Sequence, residues 1–204
     1  MTDPAGAPPP DDLRAGPDGR LRCAWGAQPA EYVAYHDLEW GWPVHDEVRL
    51  FEKLCLEGFQ AGLSWLTILR KREEFRRAFA GFQPAKVAAF GEAEVARLLE
   101  DASIVRSRAK IEATIANGRA MLALGETTLD ELVWAHAPPP RPAPVSRSAL
   151  PASTPESVAL AKELKRRGFR FVGATTVYAL MQACGVVNDH LAGCFVRTDA
   201  RRRS

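Results

Sequence analysis

Twelve of the chain's fifteen prolines fall in two short stretches, five in residues 4 to 17 and seven in residues 138 to 155. Proline fixes φ and has no N–H to donate, so neither stretch can lie inside a helix or a central strand. Between them the apolar residues recur at helical spacing, and alternating runs are almost absent. Residues 1–20 are polar, rich in Gly and Pro and without periodicity, which predicts a disordered tail. APPPRPAPVSRSALPASTP (residues 137–155) predicts a proline-stiffened loop between helices. Residues 196–204, ending RRRS, predict a frayed basic tail. The remainder, residues 21–195, is long enough for one core and carries no internal repeat.

Helix signals fill that remainder. Val48, Leu50, Phe51, Leu54, Cys55 and Phe59 form one apolar stripe, with Asp46 as its N-cap. Further helices are expected over Trp65–Phe79, from Pro84 with Val87 and Phe90 inward, and over Glu92–Glu100, Arg106–Leu124 and Leu129–Trp134. Two more cover Glu156–Arg167, opened by Pro155, and Ala174–Cys184. The expected fold class is therefore all-α and compact. An apolar fraction of 47% excludes collagenous, coiled-coil and wholly disordered chains. No run approaches 18 apolar residues, and MTDPAGAPPPDDLRAG has no apolar core, so neither a membrane span nor a secretory signal is expected. A cytoplasmic protein is expected, and in that compartment four cysteines point to metal, catalysis or packing rather than disulfides.

The net charge of +2 is uninformative about nucleic acid, but its distribution is not. KELKRRGFRFVGA (residues 162–174) sets Lys162, Lys165, Arg166, Arg167 and Arg170 around a turn between two helices, against one Glu163. Gly168 and Gly173 bound the turn, and Thr175 and Thr176 fall in the first turn of the next helix. Free N–H groups and the positive end of a helix dipole suit a phosphate, so such a hairpin can grip a DNA backbone without reading sequence. The bland alternative is a helical corner with a solvated basic face. Phe169, Phe171 and Val172 within the turn favour a packed hairpin.

Cys23 and His36 lie near the start of the ordered part, His190 and Cys194 near its end. The spacing H-x-x-x-C would put the second pair on one face of a helical turn. Thiolate and imidazole are zinc's preferred donors, and Cys₂His₂ is a closed, structural set that would staple both ends of the domain. Ordinary packing is the competing account, as it is for Cys55 and Cys184, while His45 and His136 have no partner at suitable spacing. Six of the eight Trp and Tyr residues (Trp25, Tyr32, Tyr35, Trp40, Trp42 and Trp65) fall in the first third of the chain. Flat rings of this kind can hold an extruded nucleobase or simply fill a core. Glu57 stands on the apolar side of its helix, where a carboxylate needs a partner or a cationic ligand; Lys53 is one candidate.

The runs RCAW (22–25), YVAYHDLEWG (32–41), LFEKLCLEGFQAGLSW (50–65), KRRGFRFVGATT (165–176) and MQACGVVNDHLAGC (181–194) together closely resemble the 3-methyladenine DNA glycosylase I family. The resemblance spans about residues 21–195. It implies a helix-hairpin-helix DNA glycosylase fold with one structural zinc joining the N- and C-terminal segments, held by Cys23, His36, His190 and Cys194. It implies a base site using Glu57 and Tyr35 as catalytic residues, with Trp65, Tyr32, Trp25 and Trp40 binding or supporting. It also implies a DNA grip at Lys165, Arg166, Gly168, Arg170, Gly173 and Thr175, and Leu63 entering the base stack. The implied substrate is double-stranded DNA carrying alkylated adenine, acted on by a monomer.

One departure stands out. Helix-hairpin-helix glycosylases commonly carry an aspartate in a V-D-x-H-like context, whereas this chain reads Val187-Asn188-Asp189-His190. Asp189 is one residue along, which on a helix turns a side chain by about 100°. It is expected to support the neighbouring ligand or a helix start rather than to activate water. Two alternatives share the same motifs: a non-catalytic DNA-binding module, and a zinc-stabilised interaction domain. A carboxylate embedded among aromatics argues against both.

Overall fold

The computed structural model describes residues 11–198. Leu13–Ala15 (β1) and Leu21–Cys23 (β2) pair antiparallel, with Leu13 opposite Cys23 and Ala15 opposite Leu21. The tail expected through residue 20 is thus corrected from residue 11 onward. Three-residue strands set among Gly and Pro leave no alternation long enough to read. The Ala24 N–H donates to the Asp12 carbonyl at 2.9 Å, and the Arg147 N–H to the Asp12 carboxylate at 3.0 Å, so the ribbon is tied on both sides. The rest of the expected tails, residues 1–10 and 199–204, lies outside the described residues. Of the C-terminal tail, Val196 is buried within a short 3-10 turn, Phe195–Thr198.

The helices are α1 (Ala30–Leu38), α2 (Glu47–Gln60), α3 (Trp65–Ala78), α4 (Pro84–Ala88), α5 (Glu92–Glu100), α6 (Arg108–Leu122), α7 (Leu129–Trp134), α8 (Pro155–Arg166) and α9 (Ala174–Ala183). The fold is mostly helical, as expected, and α5 and α7 start and stop where their apolar periodicity does. None of the helices is long and apolar enough to cross a membrane.

Two compact units emerge. One comprises the described parts of Met1–Pro43, Pro138–Ala152 and Met181–Ser204; the other comprises Val44–Ala137 and Ser153–Leu180. In the second unit α2 is the axis: every residue from Leu50 to Phe59 is buried. A helix buried on every side belongs in a core, and here it takes three charged side chains, Glu52, Lys53 and Glu57, inside with its apolar stripe. Asp46 caps it by accepting the Arg49 N–H at 2.9 Å. Around it Phe59, Phe75, Phe79 and Phe82 form a ring cluster, with centroids 4.6 Å apart for Phe59–Phe75 and 5.6 Å for Phe79–Phe82. Truncating one such ring to alanine typically costs about 3–5 kcal/mol. A Cβ at Gly118 would sit 2.9 Å from the Ala88 backbone nitrogen, so α6 crosses α4 backbone to backbone.

The first unit has little regular structure. Its core cluster is small: Cys23, Leu191, Cys194 and Val196, with Leu13, Trp25, Trp42 and Phe195 packed against them.

Candidate functional site

Cys23 ends β2, His36 is on α1, and His190 and Cys194 follow α9; all four side chains are buried in the first unit. Their ligand atoms lie within 4.8 Å of one another. Cys194 Sγ is 3.5 Å from His36 Nε2 and 3.5 Å from His190 Nδ1, and Cys23 Sγ is 3.9 Å from His190 Nδ1. Tetrahedral zinc bonds would set sulfur and nitrogen ligands about 3.6 Å apart, so the four residues fit a metal ion. The outer ring nitrogens are already engaged. His36 Nδ1 donates to Asp37 at 2.8 Å, leaving Nε2 for a metal, while His190 Nε2 donates to the Trp40 carbonyl at 3.1 Å, leaving Nδ1. The Leu191 N–H donates to Cys23 Sγ at 3.4 Å. Hydrogen bonding from Cys23, then from both imidazoles, holds the Cys194 thiol far below its ordinary range.

The expected helical turn between His190 and Cys194 is not formed. The segment is a tight turn in which the Cys194 N–H meets the Leu191 carbonyl at 3.0 Å and Gly193 takes φ +87°. A turn brings residues four apart together as a helix does. Asp189, expected beside the ligand or at a helix start, is buried and accepts from Arg141 and, at 2.8 Å, from Gln182 Nε2. Asn188 lies on the wall of a cavity of about 310 Å³ together with Pro138–Pro140, Arg141 and Arg197. Among the described histidines outside the tetrad, His45 pairs with Asp130 at 2.8 Å and His136 with the Leu132 carbonyl at 2.8 Å. None of the four cysteines, all among the described residues, is in a disulfide.

The first unit also holds Trp25, Tyr32, Tyr35 and Trp40. Trp25 meets Tyr32 edge-on at 5.7 Å, Trp40 at 5.0 Å and the His36 ring at 5.3 Å; Trp40 meets His190 at 4.7 Å. Trp25 and Trp40 are therefore packed directly on the imidazoles of the Cys/His cluster. Gly26 makes this possible: a Cβ there would sit 2.4 Å from the His36 ring. Tyr35 is buried one residue before His36.

The second unit holds Glu57, Leu63 and Trp65. Glu57 is 6% exposed, and burial raises its carboxyl to about 8, opposed by the charge of Lys53 one turn earlier. Leu63 stands exposed on the α2–α3 turn. That turn is held at three points. Lys110 Nζ donates to the carbonyls of Phe59 and Ala61 at 2.9 and 2.5 Å, Gly62 takes φ +81°, and Ser64 caps α3 by accepting the Thr67 N–H at 3.2 Å. Trp65 opens α3 directly behind it.

The hairpin joins α8 to α9 in the same unit. Gly168 takes φ +91°, its N–H meets the Lys165 carbonyl at 3.0 Å, and the Phe169 N–H meets the Leu164 carbonyl at 3.0 Å. This pair of hydrogen bonds is a Schellman helix stop, which requires a left-handed residue and explains the glycine. Phe169 and Val172 are buried, as packing of the turn predicts, but Phe171 is exposed and itself takes φ +56°. Gly173, at the other end of the turn, does not take positive φ. Asn117, buried on α6, clamps the hairpin through Arg170: its Oδ1 accepts that N–H at 2.7 Å and its Nδ2 donates to that carbonyl at 3.2 Å. Lys165, Arg166, Arg170 and Thr175 are exposed. Glu163 accepts from Arg166 at 2.6 and 2.9 Å and from Arg167 at 2.6 Å, so part of the basic cluster is internally paired. Lys110 and Asn117, seven residues apart on α6, were not singled out by sequence. Each grips the backbone of a distant residue, and no local pattern marks that.

Residues 25–197 match the family model described as methyladenine glycosylase. Among curated proteins, "DNA-3-methyladenine glycosylase 1" of Escherichia coli (strain K12) is 52% identical, with 85% of this chain and 95% of that protein covered. "DNA-3-methyladenine glycosylase" of Haemophilus influenzae is 45% identical, over 87% and 98%. A crystal structure of 3-methyladenine DNA glycosylase I superposes with a TM-score of 0.83 at 50% identity, covering 85% of this chain and 98% of that one. A further relative, solved in complex with 3-methyladenine, superposes with a TM-score of 0.80 at 33% identity, covering 87% and 98%.

Proposed function

The chain belongs to the methyladenine glycosylase family and is a DNA-3-methyladenine glycosylase, and from that premise we propose how its residues divide the work. Methylation at N3 makes the adenine cationic. Hydrolysis breaks the bond from C1′ to the purine; the bonding electrons neutralise the leaving base, water oxygen bonds to C1′, and water gives up a proton. The products are free 3-methyladenine and an abasic sugar. A leaving group this activated needs little acid catalysis, so electrostatic stabilisation carries most of the task.

Glu57 is the observation on which this reading rests. A carboxyl group buried to 6% exposure is costly to ionise in the free protein, and a cationic base relieves that cost. Its oxygens also suit the exocyclic amino group. Neutral adenine offers no such attraction, which gives selectivity without reading the methyl group alone. Tyr35 supplies a hydrogen bond near the base and Trp65 a stacking face; Tyr32, Trp25 and Trp40 support the site. Leu63 enters the base stack in place of the extruded nucleotide. Incubation with alkylated duplex DNA, with the free bases identified, tests the reading. Release of 3-methyladenine is the expected result, and no base release would leave only a DNA-binding module.

The hairpin, with Gly168 and Gly173 at its ends and Thr175 opening α9, holds the DNA backbone. Lys165 and Arg170 carry its exposed charge, whereas Arg166 shares Glu163 with Arg167. Neutralising Lys165 and Arg170 together is therefore expected to reduce the slope of log affinity against log salt by about one for each phosphate that is no longer neutralised. Neutralising Arg166 should flatten it less. Fluorescence anisotropy across a salt series measures both, and an unchanged slope in the double variant would remove the hairpin from the interface.

Cys23, His36, His190 and Cys194 would hold one zinc ion. The donor set of two thiolates and two imidazoles is zinc's own, and with four protein ligands no position remains for water. Bound there, zinc supplies structure rather than chemistry.

A further inference from the structure

One buried side chain precedes one residue of the Cys/His cluster and touches the sequence neighbours of two others. Arg22, 4% exposed, precedes Cys23. Its Nε donates to both oxygens of Asp37 at 3.0 and 3.1 Å, and its Nη2 to Asp37 Oδ2 at 2.7 Å. Asp37 is the carboxylate that accepts His36 Nδ1 at 2.8 Å. The Arg22 guanidinium also lies over the ring of Phe195, the residue after Cys194, 5.0 Å from its centroid. Its far side is held by Asp18 in the β1–β2 turn, where Nη1 and Nη2 each donate at 2.8 Å. All of Asp18, Arg22 and the ribbon precede residue 25, where the family match begins.

We propose that Arg22 is a positioning residue of the metal centre, acting through Asp37 to fix His36 as an Nε2 ligand, and that the Leu13–Cys23 ribbon belongs to that centre. An imidazole bound through Nε2 must keep its proton on Nδ1, and the Asp37 carboxylate holds it there. Asp37 is in turn immobilised by a guanidinium whose planar fork matches it, a fit a lysine would not reproduce. The ionic chain Asp18–Arg22–Asp37–His36 therefore runs from the ribbon turn to the metal-facing nitrogen.

The inference rests on the tetrad holding zinc, and the experiment separates the two. Zinc-loaded full-length protein is mixed with excess chromogenic chelator and zinc release is followed. Asp37→Asn and Arg22→Gln are expected to release zinc roughly 10–100-fold faster than wild type. Asp18→Asn, which reaches the centre indirectly, through Arg22 and through Arg20 over the Phe195 ring, is expected to show a smaller acceleration. Nitrogen-15 correlation spectra of the histidine rings supply a signature that general loosening would not. The wild type should show a protected His36 Nδ1–H, and Asp37→Asn should lose it. Where Arg22→Gln fails to fold, Arg22→Lys and Asp18→Asn carry the test in folded protein. Wild-type release rates in Asp37→Asn and Arg22→Lys would overturn the proposal, as would faster release with an unchanged His36 signal. A wild type that binds no stoichiometric zinc overturns the metal reading itself.

Discussion

Glu57→Gln is expected to lower excision of 3-methyladenine by roughly 10²-fold or more while duplex binding survives. Glutamine keeps the shape and the acceptor oxygen but not the charge that complements a cationic purine. The pH profile offers a second signature. With its carboxyl at about 8, Glu57 is only about one-tenth ionised at pH 7 in the free enzyme. If the carboxylate is the form that engages the base, kcat/KM should rise with pH through that region, because this ratio reports the free enzyme. The glutamine variant should lose that limb.

Stability should move the other way. A carboxyl whose folded value is raised binds its proton more tightly in the folded state. It therefore costs stability as pH rises from about 4.5 to about 8, and the full cost is present above that. Glu57→Gln should match the wild type near pH 4 and be more stable above pH 8, by on the order of a few kcal/mol, read as a higher melting temperature. A variant that is more stable and less active fits a group kept for function. Wild-type excision with a wild-type pH profile would exclude the charge of Glu57 from the reaction.

Legibility of the fold followed the length and regularity of each element. α5 and α7 carry apolar stripes closed by clear boundaries, so their ends could be read from residues alone. α1, AEYVAYHDL, buries only Tyr35 and His36, and a helix with so little apolar periodicity leaves no stripe to find. The ribbon was hidden for a different reason. Its order comes from Arg22, whose partners Asp18 and Asp37 include one fifteen residues away. The Cys/His cluster was legible through the family resemblance, since Cys55 and Cys184 are equally buried and spacing alone left packing open, whereas the turn through Gly193 that joins His190 to Cys194 was not. Glu57 was legible as an anomaly, a carboxylate on an apolar face. Lys110 and Asn117 were not anomalous in any local sense. Their partners are backbone groups 49 to 53 residues away, and only the packing of α6 brings them together.

Removing the metal, by exchanging His190 for alanine or by prolonged chelation, is expected to unfold the first unit in preference to the second. Among its described residues the first unit has two three-residue strands, a nine-residue helix, the last turn of α9 and short 3-10 turns, around a core cluster of Cys23, Leu191, Cys194 and Val196. Apolar burial on that scale is too little to order such irregular chain, which is where a metal staple contributes most. Without a cation, two sulfurs and two imidazoles at 1% exposure or less would be left to satisfy one another. The loss should amount to roughly 3–5 kcal/mol for the folded protein, or about 6–20 °C in melting temperature for a chain of this size. Fluorescence can locate it, since Trp25, Trp40 and Trp42 lie in the first unit and Trp65 and Trp134 in the second. Emission should shift to the red on chelation and return when zinc is restored. Changing Trp25 or Trp40 to phenylalanine should remove most of that shift, and changing Trp134 should not. Unchanged emission and melting in metal-free protein would mean that the tetrad packs without a cation and that the first unit is held by its side chains alone.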